Sequence, residues 1–216
     1  MGLKCSNHPC PLCQSGSSFF LEDSRRHYLQ CKQCTLIFIP LKYLPSREEE
    51  KAQYDLHKNN PTDTGYRNFL NRLTKPLLER LEPKSSGLDF GCGPGPTLSV
   101  MLEEAGHKMS IYDPIYHPNY QLLTESYDFI TATEVFEHLH EPKKDLKILY
   151  SALKKNGWLG IMTKRALGKE SFAQWHYTHD PTHVCFWSET TFNWLANQWQ
   201  TIAEFPAADV VLFQKK

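Results

Sequence analysis

The sequence predicts an α/β fold in which a mostly parallel sheet ends in an antiparallel hairpin and is preceded by a small cysteine-built ribbon. Three observations carry that expectation. From residue 85 onward, short apolar runs alternate with amphipathic helical stripes. A glycine-rich turn, Gly91-Cys92-Gly93-Pro94-Gly95, joins the first run to the first stripe. Two C-x-x-C pairs, Cys10/Cys13 and Cys31/Cys34, stand ahead of everything else with 17 residues between them. The chain divides accordingly into a ribbon over residues 1–44, a helical linker and lid over 45–84, and a core over 85–216.

The ribbon comes first. Each C-x-x-C turn points two sulfurs at one place, and two such turns brought together by a hairpin form a tetrahedral thiolate set that suits Zn²⁺. Cys10, Cys13, Cys31 and Cys34 are therefore the predicted ligands, and four protein ligands make the zinc structural and not catalytic. Cys5 and His8 share ligand spacing and are set aside as spectators. The segment Ser18–Gln30 has apolar and aromatic residues around a polar turn, as a hairpin requires. Arg25 and Arg26 fall at that turn and are expected to be a solvated tip in preference to a phosphate or aromatic contact.

Met1 to Pro11 lacks the apolar core of a secretion signal and no run of 18 apolar residues exists, so the expectation is a cytoplasmic protein with no membrane segment. Disulfides are a poor use of seven cysteines there, which supports the metal reading. Lys plus Arg equals Asp plus Glu at 24 each. That balance gives no general attraction to a polyanion and disfavours, without excluding, a nucleic-acid substrate.

In the linker, Pro45 and the charged run Arg47–Lys51 lead into one helix, and a second is expected near Gly65. Tyr66, Phe69, Leu70, Leu73 and Leu77 share a face, with Pro76 marking a kink or a break. The loop from Tyr54 to Arg67 is either a polar linker or a lid, with Tyr66 or Arg67 reaching into a site.

The core follows in alternation. After the glycine turn, Leu98, Met101, Leu102 and Ala105 form a stripe stopped by Gly106, and Met109–Tyr112 reads as a strand ending at Asp113. Residues 127–133 are the next strand, running into Glu134 and a helical segment whose Glu137 and His138 are expected as its solvated start. Leu146, Leu149, Tyr150 and Leu153 make a further helix stopped by Gly157, and Trp158–Thr163 a buried strand. Ser188 caps a helix bearing Phe192, Leu195, Ala196 and Trp199, before a hairpin of Thr201–Phe205 and Val210–Gln214.

The glycine turn carries the chemistry. Glycines between a strand and a helix let the backbone approach a ligand, and an acid about 20 residues on is placed to accept ribose hydroxyls. The spacing is G-x-G-x-G and not the G-x-G-x-x-G of a dinucleotide site, and Asp89 just before it would repel a pyrophosphate but attract a cationic amine. On Asp89, Gly91, Gly93, Gly95 and Asp113 the chain resembles the class I S-adenosylmethionine-dependent methyltransferases. The likeness extends through the E-V-x-E-H sequence at Glu134–His138 and covers residues 85–216. It implies a Rossmann-like core, S-adenosylmethionine as cofactor, and cofactor contacts from Asp89, Gly91, Cys92, Gly93, Gly95, Asp113 and Glu134, with Tyr66 from the lid. Only 13 residues separate Asp113 from Tyr127, so the usual second helix and third strand are shortened or lost, and the adenine contact is unassigned.

The loop W-H-Y-T-H-D-P-T-H-V-C-F-W, residues 175–187, leaves the carboxyl end of a strand, where ligands of open α/β sheets bind. Methyl transfer depends on aligning an acceptor lone pair behind the sulfonium methyl, with a base added when the acceptor carries a proton. His183 is the first candidate base, matching an H-V-x-F segment of the small-molecule branch; His179 competes, and Tyr177 is placed to position a substrate hydroxyl. The alternative is that all three only order the loop through Asp180 and backbone contacts. A divalent metal on His176, His179 and His183 is the weaker reading. The function expected is methyl transfer to a small-molecule oxygen, nitrogen or carbon. An RNA methyltransferase using the ribbon, or a ribbon interaction protein that keeps cofactor binding without turnover, are the alternatives. Thr133-Glu134 in place of an N-P-P-Y sequence disfavours a base amine as acceptor.

Overall fold

The computed structural model describes residues 8–56 and 59–216. Cys5 of the sequence analysis lies outside them. The ribbon consists of β1 (Ser17–Glu22), β2 (His27–Cys31) and β3 (Ile37–Phe38), each antiparallel to the one before. Next comes α1 (Arg47–Tyr54), opened by a reciprocal capping box between Ser46 and Glu49. The helix α2 (Thr64–Leu78) is capped by Asp63 and runs unbroken through Pro76, which sits in its last turn instead of dividing it. Its apolar face buries Leu70, Leu73 and Leu77 against Leu98, Leu102, Phe129, Met162 and Leu212.

The core begins with β4 (Ser86–Phe90), α3 (Thr97–Glu104) and β5 (Lys108–Tyr112). The shortened connection expected after Asp113 is present as a bridge between Asp113 and His117 and a 3₁₀ turn over Tyr120–Thr124, which leaves β5 at the sheet edge. There follow β6 (Tyr127–Thr133), α4 (Pro142–Ala152) and β7 (Leu153–Met162). Leu153, expected on the α4 stripe, instead opens β7 and pairs with Tyr127, so the helix ends before Gly157 is reached. A short α5 (Lys169–Ala173) leads to β8 (Cys185–Phe186), α6 (Glu189–Gln198), β9 (Ala203–Ala207) and β10 (Val210–Gln214).

The main sheet has the order β5-β4-β6-β7-β10-β9, parallel across its first four strands and antiparallel at the terminal hairpin. The expected α/β architecture is thus observed. The ribbon is not an independent lobe: β3 pairs with β8, so the ribbon sheet takes its fourth strand from the core segment that follows the histidine loop. A continuous apolar cluster runs from the ribbon's Tyr28, Leu29 and Ile37 through Phe172 and Phe186 to Phe136, Leu149 and Phe213. Among the described residues no helix is long and apolar enough to cross a membrane.

Candidate active site

A cavity of about 710 Å³ opens at the carboxyl ends of β4, β5 and β6, the end where open parallel sheets receive ligands. Asp89, Gly91, Cys92, Gly93 and Gly95 line it from the first loop, Asp113 from the second, Glu134 from the third, Tyr66 from α2 and His183 from the 175–187 loop. Residues spread over more than 100 positions of sequence are therefore gathered on one wall system. Local geometry explains the glycines. Gly91 has φ +75, and a Cβ there would come within 2.5 Å of Val135. At Gly95 a Cβ would lie 2.4 Å from the carbonyl oxygen of Asn59, in the segment between α1 and α2.

Asp113 is buried and its carboxylate is already at work: Oδ2 accepts from the Gly93 amide, and Oδ1 from the amides of Ile115 and Tyr116. The side chain thus ties the glycine turn to the turn after β5, with acceptor capacity left on Oδ2. Asp89 is buried too, its Oδ1 accepting from Thr131 Oγ1 at 2.9 Å. Burial pushes its carboxyl up to about 7, against the Thr131 hydrogen bond, with the Asp113 charge adding to the rise. A buried carboxyl in this state gains from a cation brought into the cavity. Tyr66 is pushed up to about 12 by burial and by the carboxylates of Asp89 and Glu134.

Residues of α1 and of the segment after it contact the rim of the cavity. Glu50 of α1 pairs with His140 at 2.9 Å, Asp55 accepts from the Tyr116 hydroxyl at 2.7 Å, and Tyr54 packs edge-on to His138. Of the two residues offered as able to reach the site, Tyr66 lines the cavity, while Arg67 does not and pairs with Glu104. Of the lid loop, His57 and Lys58 lie outside the described residues.

At the opposite wall, Glu134 takes a left-handed φ of 53 and donates its amide to Met162. Its carboxyl is pushed up to about 9 by burial and by the neighbouring Glu137, and its Oε1 is buried without a hydrogen-bond partner. Glu137 and His138 correct the sequence reading. Instead of a solvated helix start they form a 3₁₀ turn, and Glu137 is 0% exposed. It accepts from Thr163 Oγ1 at 2.7 Å and from the Tyr177 hydroxyl. His138 lines the cavity and stands edge-on to His183 with ring centroids 4.8 Å apart.

The three candidate acceptor-side residues separate. His183 is on the cavity wall and 7% exposed, and its Nδ1 lies 2.7 Å from the Tyr177 carbonyl. A carbonyl only accepts, so Nδ1 carries the hydrogen and Nε2 keeps its lone pair. Burial, reinforced by His138, pushes the imidazolium down to about 4, so the ring is neutral near pH 7. Asp180 Oδ2 stands 3.8 Å from Nε2. Tyr177 does not line the cavity; it is buried against Trp175 and its hydroxyl is committed to Glu137. The His179 side chain is exposed and off the cavity, and only its backbone carbonyl is used, by Arg25. His176, exposed beside Lys164, is likewise outside any three-histidine cluster.

The hairpin tip is a second correction. Arg26 is 6% exposed and donates to the carbonyls of Thr178, Asp180 and Pro181 and to the Tyr28 hydroxyl, while Arg25 donates to Thr178 and His179. The tip clamps the histidine loop and is not free for phosphate. Behind it the sulfurs of Cys10, Cys13, Cys31 and Cys34 lie within 4.8 Å of one another, with Cys10–Cys34 at 3.5 Å and Cys13–Cys31 at 3.3 Å. Tetrahedral zinc needs sulfurs about 3.8 Å apart, so this donor set fits the ion with small adjustment.

The fold and the cavity define an α/β protein whose candidate site lies at the carboxyl ends of its parallel strands. The methyltransferase-domain family matches residues 63–200, well over half of the chain, and the chain belongs to that family. Among solved structures it is similar to 1,6-didemethyltoxoflavin-N1-methyltransferase of Burkholderia thailandensis, which holds 1,6-didemethyltoxoflavin and S-adenosylhomocysteine. The two are 14% identical, the match covers 92% of this chain and 99% of that one, and the TM-score is 0.53. A Thermotoga maritima S-adenosylmethionine-dependent methyltransferase, described as a possible histamine N-methyltransferase, is 18% identical over 68% of this chain and 89% of its own, with a TM-score of 0.42. At such identities the likeness is one of fold, and the Burkholderia enzyme carries it. No curated protein sequence matches the chain.

Proposed function

We propose that this methyltransferase uses S-adenosylmethionine and methylates a small-molecule oxygen, nitrogen or carbon acceptor, with one structural zinc in the four-cysteine ribbon. One observation carries the cofactor reading: a buried, protonatable Asp89 and a backbone-anchored Asp113 face the same cavity from either side of a glycine turn. Asp113 is placed to receive the ribose hydroxyls, and Asp89 to face the cationic methionine end, with Tyr66 and Asn59 covering it from the lid.

The acceptor reading rests on the opposite wall. His183 presents a neutral ring edge, with the His138 ring beside it, next to Glu134 on the wall of a cavity that α1 also lines. Of the three acceptor-side candidates this leaves His183 as the group that acts on the acceptor, with Tyr177 supporting it through Glu137 and the loop backbone. A cavity that α1 helps to line and a hairpin tip spent on backbone carbonyls favour a small acceptor over RNA. The test is incubation of the protein with methyl-labelled cofactor and a metabolite extract, read by mass spectrometry. Label in a discrete small molecule is expected. Label confined to RNA, or none anywhere despite cofactor binding, would overturn the acceptor assignment.

A further inference from the structure

Three cavity-lining groups, Glu134, His138 and His183, and the buried Glu137 behind them remain unexplained by methyl transfer alone. Glu137, His138 and His183 each offer a ligand atom, and those atoms all lie within 4.8 Å of one another. Glu134 adds a buried carboxylate oxygen with no partner. Among the described residues neither Glu134 nor Glu137 forms an ion pair with a lysine or arginine, and Lys164 and Arg72 reach Glu134 only as through-space charges, so a cation brought between the two neighbouring acids would favour their ionised forms.

The hydrogen bonds decide what kind of cation fits. His138 Nδ1 lies 3.1 Å from the Thr182 carbonyl and His183 Nδ1 2.7 Å from the Tyr177 carbonyl. Both rings must donate through Nδ1, which leaves two Nε2 lone pairs as the available atoms. Loop ordering accounts for the Nδ1 bonds but not for the grouping of two imidazoles and a carboxylate within 4.8 Å. Histidines that ligate metals are oriented in the same way, with the second nitrogen donating to a backbone carbonyl or carboxylate. Glu137 is held just as firmly, by hydroxyls of Thr163 and Tyr177. Both of those bonds leave lone pairs on the carboxylate. Glu134 is the position of the left-handed backbone, and strain of that sort persists where function requires it. Ligands about 2.0 to 2.2 Å from an ion lie roughly 3 to 4.4 Å from one another, so sub-ångström shifts close the cluster.

We infer that Glu137, His138 and His183, with Glu134 beside them, bind one divalent cation of the first transition row at the acceptor end of the cavity, separate from the ribbon zinc. Imidazole and carboxylate together suit Mn²⁺, Fe²⁺, Co²⁺ or Zn²⁺, in contrast to the all-thiolate ribbon. The site itself does not depend on methyl transfer, but its role does: a cation with open positions toward the cavity would hold an acceptor through oxygen and lower the pKa of a hydroxyl there. His183 would then act on the acceptor through the ion and not as a free base.

The experiment titrates the zinc-loaded full chain with Mn²⁺, followed by electron paramagnetic resonance of the free ion, and in parallel with Co²⁺, followed by visible absorption. One equivalent beyond the ribbon zinc is expected, with cobalt bands that lack thiolate charge transfer in the near ultraviolet. His183→Ala and His138→Ala should each weaken binding by roughly 10- to 100-fold or more, with cofactor affinity kept as the measure of folding. If the buried His183→Ala variant fails to fold, His138→Ala, at a half-buried position, decides. No binding of either ion beyond the ribbon equivalent overturns the inference, as does binding that persists in the folded histidine variants. Methyl transfer that survives complete chelation of this second ion would also remove its role, while leaving the cofactor reading intact; an ion bound as expected without methyl transfer would count against the function and not against the site.

Discussion

The guanidinium of Arg26 donates to the carbonyl oxygen of Asp180 at 3.1 Å, across 154 residues of chain. Asp180 stands three positions before His183, so a side chain of the ribbon hairpin fixes the backbone that aims the acceptor-side histidine. The ribbon is in this sense part of the scaffold of the candidate site.

Arg26→Ala should therefore act on both stability and rate. It strips a charged donor from buried carbonyls, which costs about 2 to 3 kcal/mol, readable by urea denaturation. Turnover should fall further than cofactor affinity, because the glycine turn is untouched. A variant with full turnover and unchanged stability would show that the clamp is dispensable. Arg26→Lys should resemble Arg26→Ala, since one ammonium cannot span the acceptors that the planar fork reaches.

Purified protein should contain one zinc in the ribbon, and Cys31→Ser should lose it. The sequence alone suggests that the core would be left largely folded. The β3–β8 pairing alters that expectation: hydrogen exchange should rise in residues 175–187 as well as in the ribbon, while β4–β6 stays protected. Protection unchanged in the loop would mean that its order does not depend on the metal.

Asp113→Ala should weaken S-adenosylhomocysteine binding by about 2 to 4 kcal/mol, measured by calorimetry. Because Asp113 also holds the amides of Gly93, Ile115 and Tyr116, part of that loss is loop disorder. Asp113→Asn, which keeps one acceptor oxygen, should lose less. Equal affinity in all three proteins would remove Asp113 from the site.

Asp89 predicts a pH dependence. Its carboxyl, near 4 when unfolded, is raised to about 7 by burial, so between these values the native state holds a proton that the unfolded state has released. Stability contributed by this group therefore falls as pH rises from about 4 to about 7 and is level above. Asp89→Asn should stabilise the cofactor-free protein at pH 8 and do little at pH 4. A cationic cofactor favours the ionised form, so its binding at pH 6 should release close to one proton, seen by calorimetry in buffers of different ionisation enthalpy. Asp89→Asn should abolish that release.

His183→Ala should lower turnover by roughly 10² to 10⁴ with cofactor affinity near wild type. His179→Ala should leave turnover unaltered, because its ring is exposed and off the cavity. Loss of rate in His179→Ala alone would contradict this placement.

What the sequence discloses and what it hides follow from the range of the interactions. Strand, glycine turn, helix and acid are local spacings, so Asp89, the glycines, Asp113 and the 127–133 strand are readable by inspection. Ser188 announces its helix for the same reason. Glu137 and Arg26 are not readable this way. Both are charged residues in polar stretches, and their burial is decided by Thr163, Tyr177 and the 178–181 backbone, 26 to 155 positions away. The one signal available for Glu137 and His138 was the E-x-x-E-H spacing, which a solvated turn satisfies equally well. Leu153 fits a helical period and a strand alternation alike, and the pairing of β6 with β7 settles which one applies.

The dependence of β3 on β8 also has a temporal side. Ribosomes deliver Ile37 and Phe38 long before Cys185 and Phe186, so during synthesis the amino-terminal hairpin waits with an open strand edge and with Tyr28 lacking its cover from Phe172 and Phe186. The four thiols are made early, but the aromatic seal forms only when the segment around residues 185–186 emerges. Truncation before residue 185 should consequently yield a nascent product whose first segment is made, metal-competent and prone to stick to other chains.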